Sequence, residues 1–444
     1  MAHFLKLASD QPVYEHCGGL EGPGEPVADI LPVAYRSYRA FLHSGGKRCF
    51  SLEPSLDGKV RLRTSYFVGA DWVCPGKLAL QVKPKFDMHS GETDYFHLLN
   101  KVMGHPDLAN DLQGLFQIFP EEPEISIEHK QDLLTPLLIF RFLKLVKEIV
   151  RKGLKRTYYT VDQNLPNRVK GKILVTETIR RNHLKAQLTK TVCRYQVFGV
   201  DGPENRLLKK AVQFVRTYQA NPKSGMGAWM QSFLHYIDPA FIEVSDDVSV
   251  FDVKHGRFNP FYQEYKEAIH LAKLILKRFG YTLSETYRTD MVKVPPFWVD
   301  MSRLFEMYVL ALLKDNFGNE VEYHFYDSGN ELDFLLKEPG YQMVIDSKYK
   351  RYSNNSISKA DAWQVSGYAR LNEVYEALNR ADNGLIDTLI VFPEPNSTRY
   401  TLTKADLDQK VCDPNYRRLY KLDVHLPQSK PYDGNPPHLC SEVL

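Results

Sequence analysis

No C-x-x-C pair occurs among the six cysteines, which stand apart at 17, 49, 74, 193, 412 and 440. Thiols scattered in this way suit neither a zinc knuckle nor a disulfide scaffold, so reduced, mostly structural cysteines are expected. No apolar run approaches the roughly 20 residues that cross a bilayer. The first ten residues lack a signal-peptide core, so a cytoplasmic location without membrane contact is expected. No G-x-x-x-x-G-K-[S/T] is present. Gly45-Gly46-Lys47-Arg48 and Pro75-Gly76-Lys77-Leu78 have the wrong spacing and no hydroxyl, so the chain is not expected to bind or hydrolyse a nucleotide itself. There is no internal repeat. Excess charge is also scarce, at a formal +3, which is a weak pointer to nucleic acid and directs attention to local charge instead.

What remains is a soluble composition, 43% hydrophobic and 25% charged, on a chain of 444 residues, enough for two or three domains with real cores. Residues 1–125 read as β-rich: Val60 to Gly69 alternates partly, and Lys77 to Lys85 reads as a strand ending at Pro84. Tyr95 to Phe119 looks more helical. Residues 126–290 read as a mainly helical middle domain, with helices over Leu133 to Leu154, Asn205 to Tyr218 and Phe261 to Phe279. Asp201-Gly202-Pro203-Glu204 suits a helix start. Asn205 and Arg206 beside it can touch DNA or a partner, or act as a cap and internal ion pair. Residues 291–444 read as an α/β core with a mixed sheet, opened by Pro295-Pro296 and trailing into a weakly patterned tail. That tail is loose from Pro427 to Pro437. The fold class expected is therefore multidomain α+β.

Basic residues crowd 144–185: Lys144, Lys147, Arg151, Lys152, Lys155 and Arg156 on one helical segment, then Arg168, Lys170, Lys172, Arg180, Arg181, His183 and Lys185. Such a run can neutralise phosphates, form a solvated face or dock an acidic partner.

The chemistry concentrates in Glu331-Leu332-Asp333 and Val344-Ile345-Asp346-Ser347-Lys348. Between them lies Lys337-Glu338-Pro339-Gly340, a turn signal between two apolar runs. A hairpin closed on Pro339-Gly340 puts Asp333 opposite Asp346, with Lys348 on the same face as Asp346. Opposed carboxylates repel, so a fold that keeps them together needs a cation. The alternative is a surface Asp346–Lys348 ion pair. Pro-Gly favours a type II turn, and a slip of one residue would split the carboxylates between faces.

Upstream, Val299 to Leu313 reads as an amphipathic helix with Leu304, Phe305, Tyr308, Val309, Leu312 and Leu313 on one face. Asp300 or Ser302 can cap it. Glu306 sits at the border of that face and can reach a cleft or face water. Downstream, Ser358 to Arg380 reads as a helix on which Gln364 and Tyr368 stand one turn apart. They can meet one object or merely form a half-buried face. Leu385 to Phe392 reads as a buried strand closed by Pro393.

Glu306, Asp333, Asp346-Ser347-Lys348 and Gln364-x-x-x-Tyr368, in that order, resemble the PD-(D/E)xK nuclease superfamily. Leu332 stands where the superfamily name has Pro, and Asp346 where many members have Glu. Trp298 to Glu306 and Ile345 to Lys350 are more narrowly similar to McrC, the nuclease subunit of McrBC-type restriction systems, a group that includes LlaJI. Asn164 to Ile173 and Asp201 to Lys209 are similar to the middle of that family, so the likeness runs from about residue 130 to about 395.

The resemblance implies a DNA endonuclease that works with a McrB-like AAA+ GTPase hexameric ring, engaged through residues 1–125. It implies Mg²⁺, for which Mn²⁺ can substitute. The ligands would be Asp333, Asp346, the Ser347 carbonyl and Glu306, all offering hard oxygen. Lys348 would orient water or stabilise charge on the phosphate, and Gln364 would shape the site or hold backbone phosphate, with Tyr368 beside it. Two other readings fit the same residues: a freestanding repair or recombination nuclease, and a non-cleaving, GTPase-stimulating adaptor on a nuclease fold.

Overall fold

A computed structural model of the chain describes residues 3–8, 37–42, 46–54, 60–84, 86, 95–105, 108, 114–119, 122–128, 134–220, 229–249, 253, 262–285, 291–327, 330–350, 357–382 and 384–427. The loose tail expected from Pro427 to Pro437 lies almost wholly outside them. Among the described residues no helix is long and apolar enough to cross a membrane.

The fold is mixed α+β, and the chain groups into two compact units: residues 1–127 with 292–444, and residues 128–291. The stretches expected as a separate N-terminal domain (1–125) and nuclease domain (291–444) therefore share one unit, and a single strand explains why. Phe297–Asp300 lies antiparallel between Phe67–Cys74 and Phe116–Ile118. It is an inner strand of a five-stranded sheet that continues through Leu78–Lys83 to His3–Ala8. Trp298 is buried there with Phe50, Leu52, Leu62, Val73 and Leu80, and its indole N–H donates to Asp71 at 2.9 Å. Gly69 is required at this crossing, since a Cβ there would come within 2.0 Å of the Phe297 carbonyl. Neighbouring Arg39–Leu42, Arg48–Pro54 and Val60–Thr64 form a three-stranded antiparallel sheet that feeds the same core.

Asp300 ends that strand and caps the helix Met301–Phe317 by accepting from the Arg303 N–H at 3.1 Å. The helix is apolar almost all round rather than amphipathic. Met307, Leu310 and Ala311 are buried along with the expected face, which is the signature of a core helix.

A six-stranded mixed sheet follows, in the order Val321–Asp327, Asn330–Leu336, Met343–Ser347, Asp387–Glu394, Leu419–His425, Val411–Cys412. The crossover between Met343–Ser347 and its parallel neighbour Asp387–Glu394 carries two short helices, Lys359–Tyr368 and Asn372–Ala377, instead of the single helix expected to Arg380. Pro393 lies within its strand rather than closing it, opposite Val424. Leu419–His425, in the stretch read as weakly patterned, is an interior strand of this sheet. Lys421 and Asp423 interrupt the continuous apolar run expected of a strand inside a sheet, and the alternation from Tyr420 to His425 is the signal that the reading passed over.

The other unit has helices Leu134–Lys152, Pro203–Ala220, Trp229–Ile237 and Gln263–Glu285. It also has an antiparallel sheet of Thr157–Pro166, Lys172–Ile173 and Lys190–Gly199 that the helical reading did not anticipate. Tyr158, Tyr159, Thr160 and Val161 favour a strand, a signal masked by the basic residues around it. Asn205 and Arg206 are structural. The Asn205 amide donates to the carbonyls of Lys155 (2.9 Å) and Val200 (2.7 Å) and accepts from Tyr265. Arg206 forks onto Asp201 at 2.8 and 2.7 Å. Part of the basic run is also paired internally: Lys152 with Glu264, Lys155 with Glu204, and Arg180 and Arg181 with Glu177.

Candidate active site

Glu338-Pro339-Gly340-Tyr341 makes the expected turn. The Tyr341 N–H donates to the Glu338 carbonyl at 2.9 Å, and Gly340 takes the left-handed φ of +84° that the third position of a type II turn requires. The strands leaving it pair Leu336 with Met343, Leu335 with Val344 and Phe334 with Ile345. This is the register drawn from the sequence; continued one residue beyond the paired positions, it would set Asp333 against Asp346. Leu335 and Val344 lie in an apolar cluster with Ala362, Val365 and Ile390. By strand alternation, Asp333 and Asp346 share that helix-covered face.

Asp346 is 1% exposed. The Lys348 ammonium reaches its two oxygens at 3.1 and 2.8 Å. Asp333 accepts on Oδ2 from the Ser347 N–H (2.8 Å) and the Ser347 hydroxyl (3.0 Å). Burial, then the Asp346 and Glu306 charges, push the Asp333 carboxyl up to about 8. Burial also raises Asp346, against the pull of Lys348. Lys348 is itself raised: burial disfavours its charge, but Asp346 and Asp333 outweigh it. The site thus holds more buried carboxylate than one ammonium can neutralise.

Glu306, on the core helix, turns into this field rather than into water. Its Oε1 accepts from the Tyr323 hydroxyl (2.9 Å) and meets His324 Nε2 at 2.8 Å. His324 Nδ1 lies 3.0 Å from Glu331. Gln364 is exposed and donates to the Tyr368 hydroxyl at 2.9 Å. Among the described residues no hydrogen bond ties Gln364 to the acidic group. Four residues escaped the sequence reading. Tyr323 and His324 come from an edge strand whose signals are its aromatics and the alternation from Val321 to Phe325. Half-buried Lys350 and buried Asp361 form a second pair, at 2.8 and 3.1 Å, joined by Ser358 at 2.6 Å. The spacing K-x-K was there to suggest that two lysines serve two carboxylates.

The donors suit a hard divalent cation: buried carboxylate oxygens in excess of local positive charge, one of which, Asp346 Oδ2, makes no hydrogen bond despite the nearby ammonium. The side chains do not already stand as a finished cage. Among the described residues no three His, Cys, Asp or Glu side chains converge as metal ligands; Lys348 and Ser347 take up the carboxylates instead.

The family described as McrBC 5-methylcytosine restriction system component matches residues 62–379. The chain belongs to this family. The McrBC match takes in every candidate position from Glu306 to Tyr368. Two solved structures from Thermococcus gammatolerans are similar. One is a half-complex from a tetradecameric assembly of McrB AAA+ hexamers with bound McrC, at 16% identity over 85% of this chain and 80% of that chain, TM-score 0.34. The other is a cryo-EM structure of the McrBC complex, at 20% identity over 60% and 70%, TM-score 0.26. No curated protein matches the chain.

Proposed function

We propose that this chain is the metal-dependent DNA endonuclease subunit of an McrBC-type restriction system, working with a McrB-like AAA+ GTPase hexameric ring. Membership of the McrBC family supports the system. The ring partner is supported by the Thermococcus gammatolerans assembly, in which McrC is bound to McrB hexamers. The observation that carries the chemistry is the imbalance at Asp333, Asp346 and Lys348: buried carboxylates held together with too little positive charge.

Asp333 and Asp346 would hold Mg²⁺, with Glu306 and the Ser347 carbonyl as further oxygens. When bound, the cation supplies charge neutralisation at the phosphoryl group and a more acidic water. Lys348 stays an ammonium in this field, which suits it to stabilising charge on the phosphate rather than to accepting a proton. Ser347 fixes the Asp333 carboxylate through two donors. The apolar face under the pair keeps it out of bulk water, which strengthens each of these charges.

The test is Asp346→Ala and Lys348→Ala in the reconstituted complex with its ring. Mg²⁺-dependent cutting should vanish while assembly and GTP hydrolysis persist. Wild-type cutting by either variant rejects the site. Robust cutting by the purified wild-type chain alone would favour a freestanding nuclease.

A further inference from the structure

Tyr323 and His324 are consecutive residues of the edge strand Val321–Asp327. In regular strand such neighbours point to opposite faces. Here they converge, because His324 adopts a left-handed backbone, φ +51°, in a strand where a side-chain-bearing residue seldom does so. The ladder to Asn330–Leu336 pairs Tyr323 with Phe334 and Phe325 with Leu332 and skips His324. The two rings stack at 3.8 Å, and both reach the same atom, Glu306 Oε1, at 2.9 and 2.8 Å. Among the described residues nothing donates to Oε2.

The imidazole is held at both nitrogens, by Glu306 and by Glu331 at 3.0 Å. That leaves it no free lone pair with which to bind a metal, so its work is on the carboxylate. Backbone strain of this kind persists where the surroundings enforce it, commonly at functional sites. The Glu306 charge helps to raise both Asp333 and Asp346, although among the described residues the three carboxylates do not converge as a ready-made ligand set.

We propose that Tyr323 and His324 are positioning residues, a two-donor clamp that fixes Glu306 by Oε1 and presents Oε2 to the divalent cation shared with Asp333 and Asp346. The inference rests on the metal-nuclease reading above.

The test is Mn²⁺ binding to the full-length chain, without DNA, by calorimetry or electron paramagnetic resonance. Tyr323→Phe removes one donor. His324→Asn keeps a residue tolerant of left-handed backbone but is too short to span both glutamates. Each should weaken Mn²⁺ binding about tenfold. The Mg²⁺ concentration for half-maximal cutting should rise to match, with little change in the rate at saturating Mg²⁺. Lower melting temperature with wild-type Mn²⁺ affinity in both variants overturns the clamp. Asp346→Ala separates this failure from a deeper one. If it loses Mn²⁺ while the clamp variants do not, only the clamp is wrong. If wild type binds no better than Asp346→Ala, the metal reading falls and the clamp with it.

Discussion

Two lysine–aspartate pairs lie side by side in this chain, and they differ in kind. Lys350 and Asp361 form a satisfied pair. Burial works to raise Asp361, but hydrogen bonds from Lys350 and Ser358 more than offset it, and its carboxyl lies below the ordinary range. Lys348 faces Asp346 with Asp333 and Glu306 close by, and there the aspartate carboxyls are driven up. The same residue types, two positions apart on one stretch of chain, give a satisfied pair and a frustrated one. On the metal-nuclease reading proposed above, charge excess and not lysine count marks where a cation would bind.

The comparison breaks most severely at the frustrated pair. Asp346→Ala or Lys348→Ala should cut DNA cleavage by the ring-bound complex on the order of 10³-fold, about 4 kcal/mol of barrier. Lys350→Met should leave Mg²⁺-dependent cutting measurable. Equal losses at both lysines would erase the distinction.

Cation and proton should compete at one pair and not at the other. Asp333 has a folded-state value of about 8 against an ordinary 3.8. The folded, cation-free chain therefore keeps a proton that the unfolded chain has released. Its contribution to stability is full at low pH and is lost as pH rises from about 4 through about 8. The melting temperature in chelator should fall more for wild type than for Asp333→Asn across that window. Mg²⁺ at roughly 100 times its dissociation constant should restore about 2.7 kcal/mol at the alkaline end. Asp346→Ala should show no such gain.

The matched pair should register in stability alone. Lys350→Met removes the ammonium that meets the buried Asp361 carboxylate, which costs about 2 kcal/mol in denaturant unfolding. Mn²⁺ affinity should hold within about twofold, well inside the 10-fold loss expected when a ligand's support is removed. The smallest effect belongs to the turn that aligns Asp333 with Asp346. Gly340→Ala forces a side chain into left-handed backbone at a cost of about 1 kcal/mol, and cutting should survive, since the ladder beyond fixes the register.

The hairpin was legible because its logic is local: a Pro-Gly turn, two apolar runs and the parity of strands settle which residues pair. Asp300 as the cap of the core helix was legible for the same reason. What escaped depends on partners far along the chain. Trp298 is an ordinary apolar residue in sequence and becomes part of the N-terminal sheet only through Gly69 and Asp71. His324 reaches Glu306 through a backbone conformation that no spacing announces. Asp361 looks like a surface acid in the first turn of a helix until Lys350 is brought over it. Leu419–His425 is an interior strand whose polar residues disguise it. Periodicity reads faces and turns; it does not read which strand is inserted between two others.

The most direct measurement is a crystal structure of the full chain soaked in Mn²⁺, read by anomalous scattering. A peak should lie between Asp333 and Asp346, within reach of Glu306, with the Lys348 ammonium turned aside and nothing at Asp361. A saturated crystal with no peak at the two aspartates, or with its peak at Asp361 instead, would contradict the claim that charge excess marks the catalytic centre.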